Sequence, residues 1–247
     1  MSREALISTK NARLGYKKSG AEICILKNID LNFYAGDVIG IVGLNGVGKS
    51  TLLKTLCGLL EPLAGEVRIT GELITEIALS ELAKKIAIVL TEKIGGFNLT
   101  AYDLVAAGQM PYTNSFNRLG KKHKEIIKAA IDACGLKEHQ FKLINELSDG
   151  LFQKTIIAKA LAQQTPVLLL DEPSAFLDYA SKHDLFLLLK DLAIKENKCV
   201  LLSSHDLDLL LKYCSKLLVI EGKSAELIAV EDAKNNAAFL RIGGGYI

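Results

Sequence analysis

Gly43-Leu44-Asn45-Gly46-Val47-Gly48-Lys49-Ser50 reads G-x-x-x-x-G-K-S, and the patterns on either side of it decide the fold. Before it runs Val38-Ile39-Gly40-Ile41-Val42, a short apolar stretch that suits a buried strand. After it, Thr51-Leu52-Leu53-Lys54-Thr55-Leu56 has a helical pattern. Strand, glycine-rich turn and helix are the context in which this motif binds phosphate. Gly43, Gly46 and Gly48 lack Cβ atoms, so the backbone can curl and aim successive N–H groups inward. A helix opening near Lys49 adds roughly half a positive charge at its first turn. The stretch therefore predicts a cradle for a nucleoside triphosphate, walled also by Asn45 and Thr51. Lys49 would reach the β- and γ-phosphates, and the Ser50 hydroxyl would ligate Mg²⁺.

A second stretch completes this site. Val167-Leu168-Leu169-Leu170-Asp171-Glu172 is an apolar strand ending in two carboxylates. Open α/β sheets gather ligands at the carboxyl ends of their strands, where Asp171 and Glu172 would stand. Asp171 would hold the Mg²⁺ shell, and Glu172 would orient and deprotonate the attacking water. Alone, the run also fits a strand ending in the polar turn Glu172-Pro173. His205 follows a third apolar strand, Cys199-Val200-Leu201-Leu202-Ser203-Ser204. If that strand lies beside Asp171, the imidazole can hydrogen-bond a γ-phosphate and steady Glu172.

Strand-like runs recur at 6–9, 38–42, 86–90, 167–170, 199–203, 217–220 and 227–230, with helical patterns between many of them. That alternation predicts a mostly parallel sheet covered by helices. The region from about 97 to 164 differs. Helical patterns recur around 101–108, 123–135 and 151–164, and Gly108 to Gly120, with Pro111, Asn114 and Asn117, reads as a loop. An all-helical unit inserted into an α/β core is expected. The chain has 247 residues, 49% hydrophobic and 23% charged, which suits one globular domain. A net charge of +2 gives no basic face, so no nucleic-acid partner is expected. The runs Tyr16-Lys17-Lys18 and Lys121-Lys122-His123-Lys124 read as solvated surface. No apolar stretch approaches the ~20 residues that span a bilayer, and Met1-Ser2-Arg3-Glu4 has no signal-peptide character. Five cysteines without metal spacing read as reduced thiols in a cytosolic setting.

These motifs in this order resemble the ATPase subunits of ATP-binding-cassette (ABC) transporters. Leu147-Ser148-Asp149-Gly150-Leu151 is similar to the family's L-S-G-G-Q signature and lies 23 residues before Asp171. Ser174-Ala175-Phe176-Leu177-Asp178 resembles its D-loop, and Ser203-Ser204-His205-Asp206 its switch-histidine loop. The resemblance implies a P-loop NTPase core with a mixed, mostly parallel sheet, an N-terminal antiparallel β portion and an inserted helical subdomain. It divides the chain into 1–95 and 165–247 (core) and 96–164 (helical subdomain). It implies ATP and Mg²⁺ as cofactors, with Tyr16 stacking on adenine. Ser148 and Gly150 would act on ATP bound to a second copy of the chain. Transmembrane permease subunits would be partners, and a substrate-binding protein an indirect one. The place implied is the cytoplasmic face of the plasma membrane.

Several residues depart from the family pattern. Asp149 replaces the signature's first Gly, and Leu151 its Gln. Thr91, followed by Glu92, stands where the family places a Gln that approaches Mg²⁺. Thr91 is then the metal-side candidate here, with a shorter reach. Basal ATP hydrolysis is expected to be slow, and Thr91→Gln to raise it; unchanged or lower turnover would refute this. The stretch Gly108-Gln109-Met110-Pro111-Tyr112 resembles a segment of importer ATPases for iron–siderophore complexes, haem and cobalamin, with Gln109 in place of the usual Arg. Zinc or manganese import, a soluble non-transport ABC ATPase and a small-molecule P-loop kinase stay open as alternatives. Phe97, Leu99 and Tyr112 are candidates for docking on a permease, or for the core of the helical unit.

Overall fold

The computed structural model describes residues 4–90, 98–113 and 118–243. Its centre is a six-stranded sheet in the order β10-β9-β3-β8-β7-β6. These strands are β3 (Val38–Val42), β6 (Ile86–Val89), β7 (Val167–Leu170), β8 (Cys199–Ser203), β9 (Lys216–Glu221) and β10 (Ser224–Ala229). Pairings among β9, β3, β8, β7 and β6 are parallel, and only β10 joins antiparallel. Every residue of β3, β7 and β8 is buried, which is why these strands read as unbroken apolar runs. Alternate residues feed two cores. Val38, Val42, Leu168, Leu170, Val200 and Leu202 face one side. Ile39, Ile41, Val167, Leu169 and Leu201 face the other, with Leu52, Leu53 and Leu56 of α1 (Lys49–Leu56).

The second sheet is antiparallel, in the order β2-β1-β4-β5, from β1 (Ala5–Lys18), β2 (Ala21–Tyr34), β4 (Ala64–Ile69) and β5 (Glu72–Leu73). It closes the α1 side of the core with Ile7, Leu14, Leu26, Ile29, Leu31 and Phe33. Only 6–9 of this sheet shows a strand-like pattern in the sequence. The β1–β2 register shifts between Thr9 and Ala12, and again before Leu14. Asn11 and Asn28 both have left-handed φ, at 47° and 54°. Such bulges reset the inside–outside alternation, so a long strand loses its period of two. Thr9 fastens the irregularity: its buried hydroxyl donates to the Ile29 carbonyl and accepts from the Leu31 N–H, both at 2.9 Å.

After the short α2 (Leu79–Lys85) that leads into β6, helices α3 (Ala101–Ala106), α4 (Lys121–Ala133) and α5 (Asp149–Ala162) pack on one another around Val105, Ile127, Ile131, Leu136, Ala158 and Ala162. Thr100 starts α3 with a reciprocal capping box to Asp103. Part of the expected loop is ordered instead, since residues 107–112 form a 3₁₀ turn pressed onto α5. A Cβ on Gly108 would lie 2.3 Å from the Lys159 carbonyl, so only glycine allows this approach. Gln109 is buried, donates to the Ala162 carbonyl and accepts from His123 Nδ1 at 2.7 Å. His123, inside a charged run whose sequence reads as plain surface, is therefore a fastening point. Tyr112 donates its hydroxyl to the Gln163 carbonyl at 2.9 Å, and Gln163 Nε2 reaches back to the Ile86 carbonyl at 3.0 Å.

Candidate functional site

Three neighbouring parallel strands, β3, β8 and β7, end at the same edge of the sheet. Their next residues are the glycine-rich turn, the Ser204–His205 turn and Asp171–Glu172. This placement brings together segments more than 100 residues apart. Asn45, Gly46, Gly48, Lys49, Ser50, Thr51, Asp171, Glu172 and His205 wall one cavity of about 240 Å³. Eight of the predicted site positions thus meet beside His205. Gly43 lies just outside the walls, where its carbonyl accepts from Lys49 Nζ at 2.9 Å.

The turn is built for close approach. Gly46 and Gly48 have φ of 76° and 117°. A Cβ on Gly48 would strike Ile25 of β2 at 2.4 Å, whereas one on Gly46 would enter open space. The N-terminus of α1 has no side-chain cap and no acidic residue in its first turn. An incoming anion therefore meets helix donors without competition. Lys49 is 8% exposed, and burial lowers its amine pKa while Glu172 and Asp171 oppose that shift.

The carboxylate side is equally constrained. Asp171 is 4% exposed, and its N–H donates to the Val89 carbonyl at 2.8 Å. Burial raises the pKa of Glu172, His205 and Lys49 draw it down, and Asp171 and Asp206 push it up. His205 Nε2 lies 3.3 Å from Glu172 Oε1, an ion-pair distance, but that buried oxygen accepts no hydrogen bond. Buried polar atoms are rarely left so unless a bound group satisfies them. The Ser50 hydroxyl and Asp171 carboxylate are hard oxygen donors, and they wall the cavity that holds this orphaned oxygen. That set fits Mg²⁺, which takes one or two protein oxygens and keeps the rest of its shell for phosphate and water.

The remaining predicted residues lie elsewhere. Tyr16, on β1 and 39% exposed, is not a wall of the cavity. Ser148 caps α5, accepting from the Leu151 N–H at 3.3 Å, and is exposed away from the cavity walls. Asp149 is the first residue of α5, where a carboxylate suits the helix dipole. A Cβ on Gly150 would lie 3.1 Å from the Phe176 carbonyl, so the first turn of α5 adjoins the segment after Glu172. Thr91 and Phe97 fall outside the described residues. Sequence reasoning misses one residue: Ser203, fully buried, bonds both Asp171 and Glu172. Its signal is a hydroxyl closing an otherwise apolar strand.

This arrangement defines a P-loop nucleoside triphosphatase whose phosphate turn, acidic strand end and histidine come from adjacent strands. More particularly, the chain belongs to the ABC transporter family, whose pattern it matches over residues 26–175. It is 39% identical over 217 residues to an uncharacterized ABC transporter ATP-binding protein of Methanocaldococcus jannaschii, covering 88% of this chain and 73% of that protein. It is 34% identical over 202 residues to an iron(3+)-hydroxamate import ATP-binding protein of Bacillus subtilis, covering 82% and 74%. Among solved structures, it resembles the dimeric post-hydrolysis state of an ATP-binding cassette bound to ADP and Pi. That match has a TM-score of 0.81 at 26% identity, over 91% of this chain and 98% of the other. The chain is a nucleotide-binding ATPase. Among the described residues, no helix is long and apolar enough to cross a membrane.

Proposed function

We propose that two copies of this chain power a membrane importer by closing around two molecules of ATP. The observation that carries this reading is the split of the predicted site. Phosphate-turn residues, Asp171, Glu172 and His205 share one cavity, while Ser148 stands exposed outside it. A helix-capping Ser that serves no ligand of its own protomer suits a ligand held by the other. Phe176, 45% exposed beside Gly150, suits the surface between them.

In this reading Lys49 neutralises phosphate charge, and Gly43, Asn45, Gly46, Gly48 and Thr51 shape the cradle. Ser50 and Asp171, with Thr91, hold Mg²⁺, which offsets charge on the β- and γ-phosphates when bound. Glu172 accepts the proton of the attacking water, and its raised pKa makes it a better base than an exposed carboxylate. His205 senses the γ-phosphate while steadying Glu172. Tyr16 stacks on adenine at the outer rim, and Ser148 and Gly150 close over the partner copy's ATP.

Loss of the γ-phosphate removes what held the halves together, and the helical unit, residues 96–164, carries that motion to a permease. Leu99 and Tyr112, 36% and 39% exposed, suit the docking face, and Phe97 stays a further candidate for it by sequence alone. The cargo class we assign is iron(3+) chelates, supported by the hydroxamate-import relative and by the resemblance of Gly108-Gln109-Met110-Pro111-Tyr112 to a segment of such importer ATPases. A peripheral place on the cytoplasmic face, with a substrate-binding protein upstream of the permease, follows from that role. The test is uptake of radiolabelled ferric hydroxamate and of zinc by cells lacking this chain. Loss of iron uptake alone is expected; loss of zinc uptake alone would overturn the cargo assignment.

A further inference from the structure

We propose that Ser203 is a positioning residue that sets the aim of both Asp171 and Glu172. The inference rests on the reading of those two carboxylates given above. Ser203 ends β8, after Cys199, Val200, Leu201 and Leu202, and is 0% exposed. A hydroxyl buried at the end of an apolar strand must find partners within the protein. It finds two, on consecutive residues of the neighbouring strand end. Ser203 Oγ donates to Asp171 Oδ1 at 2.7 Å and accepts from the Glu172 N–H at 2.8 Å.

These two bonds do different work. The first occupies one oxygen of Asp171 and fixes the rotation of its carboxylate, leaving Oδ2 for a cation. The second holds the backbone at Glu172, whose φ is 48°. A non-glycine residue keeps that left-handed conformation only where its surroundings enforce it. The turn at Glu172 decides where its side chain points. One hydroxyl therefore couples the direction of the metal-side carboxylate to that of the base. His205, two residues on, reaches within 3.3 Å of Glu172 Oε1, so the end of β8 supports the acidic pair at two points. An alanine would take the acceptor from the half-buried Glu172 N–H and free Asp171 to rotate. A threonine keeps the hydroxyl.

Ser203→Ala, Ser203→Thr and Asp171→Asn in the full chain test this. The readouts are binding of a fluorescent ADP analogue in EDTA, the Mg²⁺ concentration that half-saturates its metal-dependent binding, and kcat and KM for ATP. Ser203→Ala should leave metal-free binding unchanged, raise the Mg²⁺ requirement roughly tenfold, and lower kcat by about tenfold to hundredfold with little change in KM. Ser203→Thr should restore both. An unchanged Mg²⁺ requirement in Ser203→Ala, with a raised one in Asp171→Asn, overturns the role of Ser203 alone. An unchanged requirement in Asp171→Asn overturns the underlying reading of that carboxylate. Equal loss of metal-free binding in Ser203→Ala shows a merely structural role and also refutes the proposal. Should Ser203→Ala lose its cooperative melt, Ser203→Cys, with similar volume and a weaker donor, takes its place with the same expectation.

Discussion

Glu172→Gln is expected to stop ATP turnover, to keep MgATP binding, and to convert the chain from monomer to dimer when MgATP is added. The substitution keeps the shape of the side chain and removes its ability to take a proton. General-base contributions of about 10²- to 10⁴-fold set the size of the loss. Binding survives because the cradle is built from Lys49, the glycines and the uncapped helix, none of which depends on the carboxylate. Dimerisation should strengthen for an electrostatic reason. Glu172 and Asp171 put two carboxylates beside the place a γ-phosphate would occupy, and the amide removes one like charge. Sedimentation velocity with and without MgATP reads the outcome. Turnover within threefold of the parent chain would remove Glu172 from the role of base. A chain that binds MgATP and stays monomeric would locate the fault in Asp149 and Leu151, or would mean that closure needs the permease.

The architecture of two sheets with an inserted helical unit was legible through the motifs and the resemblance they carry, and the residues that wall the cavity were legible one by one. The phosphate turn is chemistry written in contiguous residues, so Gly46, Gly48, Lys49 and Ser50 could be placed without knowing any tertiary contact. Asp171 and His205 needed one further inference, that their strands lie near each other. The parallel pairing of β7 with β8 supplies it. The antiparallel sheet was implied by the resemblance, while its individual strands were mostly hidden in the residue pattern. Its strands carry bulges at Asn11 and Asn28 that break the alternation, and charged residues such as Lys10 and Arg13 point outward between buried ones. The ordered turn at 107–112 was hidden for another reason. Gly108 and Pro111 usually punctuate loops, and only the α5 backbone lying against Gly108 turns the glycine into a packing residue. Ser203 was illegible because a serine at a strand end is common. Its meaning depends on the two neighbours that its hydroxyl meets.

Lys49→Ala should abolish nucleotide binding rather than slow its hydrolysis. Lys49 is 8% exposed, with its ammonium fixed 2.9 Å from the Gly43 carbonyl and held in the field of Glu172 and Asp171. Removing it leaves two carboxylates and a carbonyl oxygen facing any phosphate that enters. The cavity then changes from a mixed site to one that repels anions. Charge-assisted hydrogen bonds contribute about 1.5–3 kcal/mol each. Removing the ammonium's bonds to both the β- and the γ-phosphate therefore predicts a fall in ATP affinity of roughly hundredfold or more. The fold should persist, since the one bond that Lys49 makes within the turn is to Gly43, and α1 is held by Leu52, Leu53 and Leu56. Calorimetric titration with ATP, beside a thermal melt, separates the two effects. Affinity within threefold of the parent chain would refute the role given to Lys49. Lys49→Arg should fare little better: a planar guanidinium has a wider head than the ammonium now seated against Gly43, in a cavity of about 240 Å³. Restoring the charge without the shape would then show that the loop recognises a compact cation at one point, not positive charge in general.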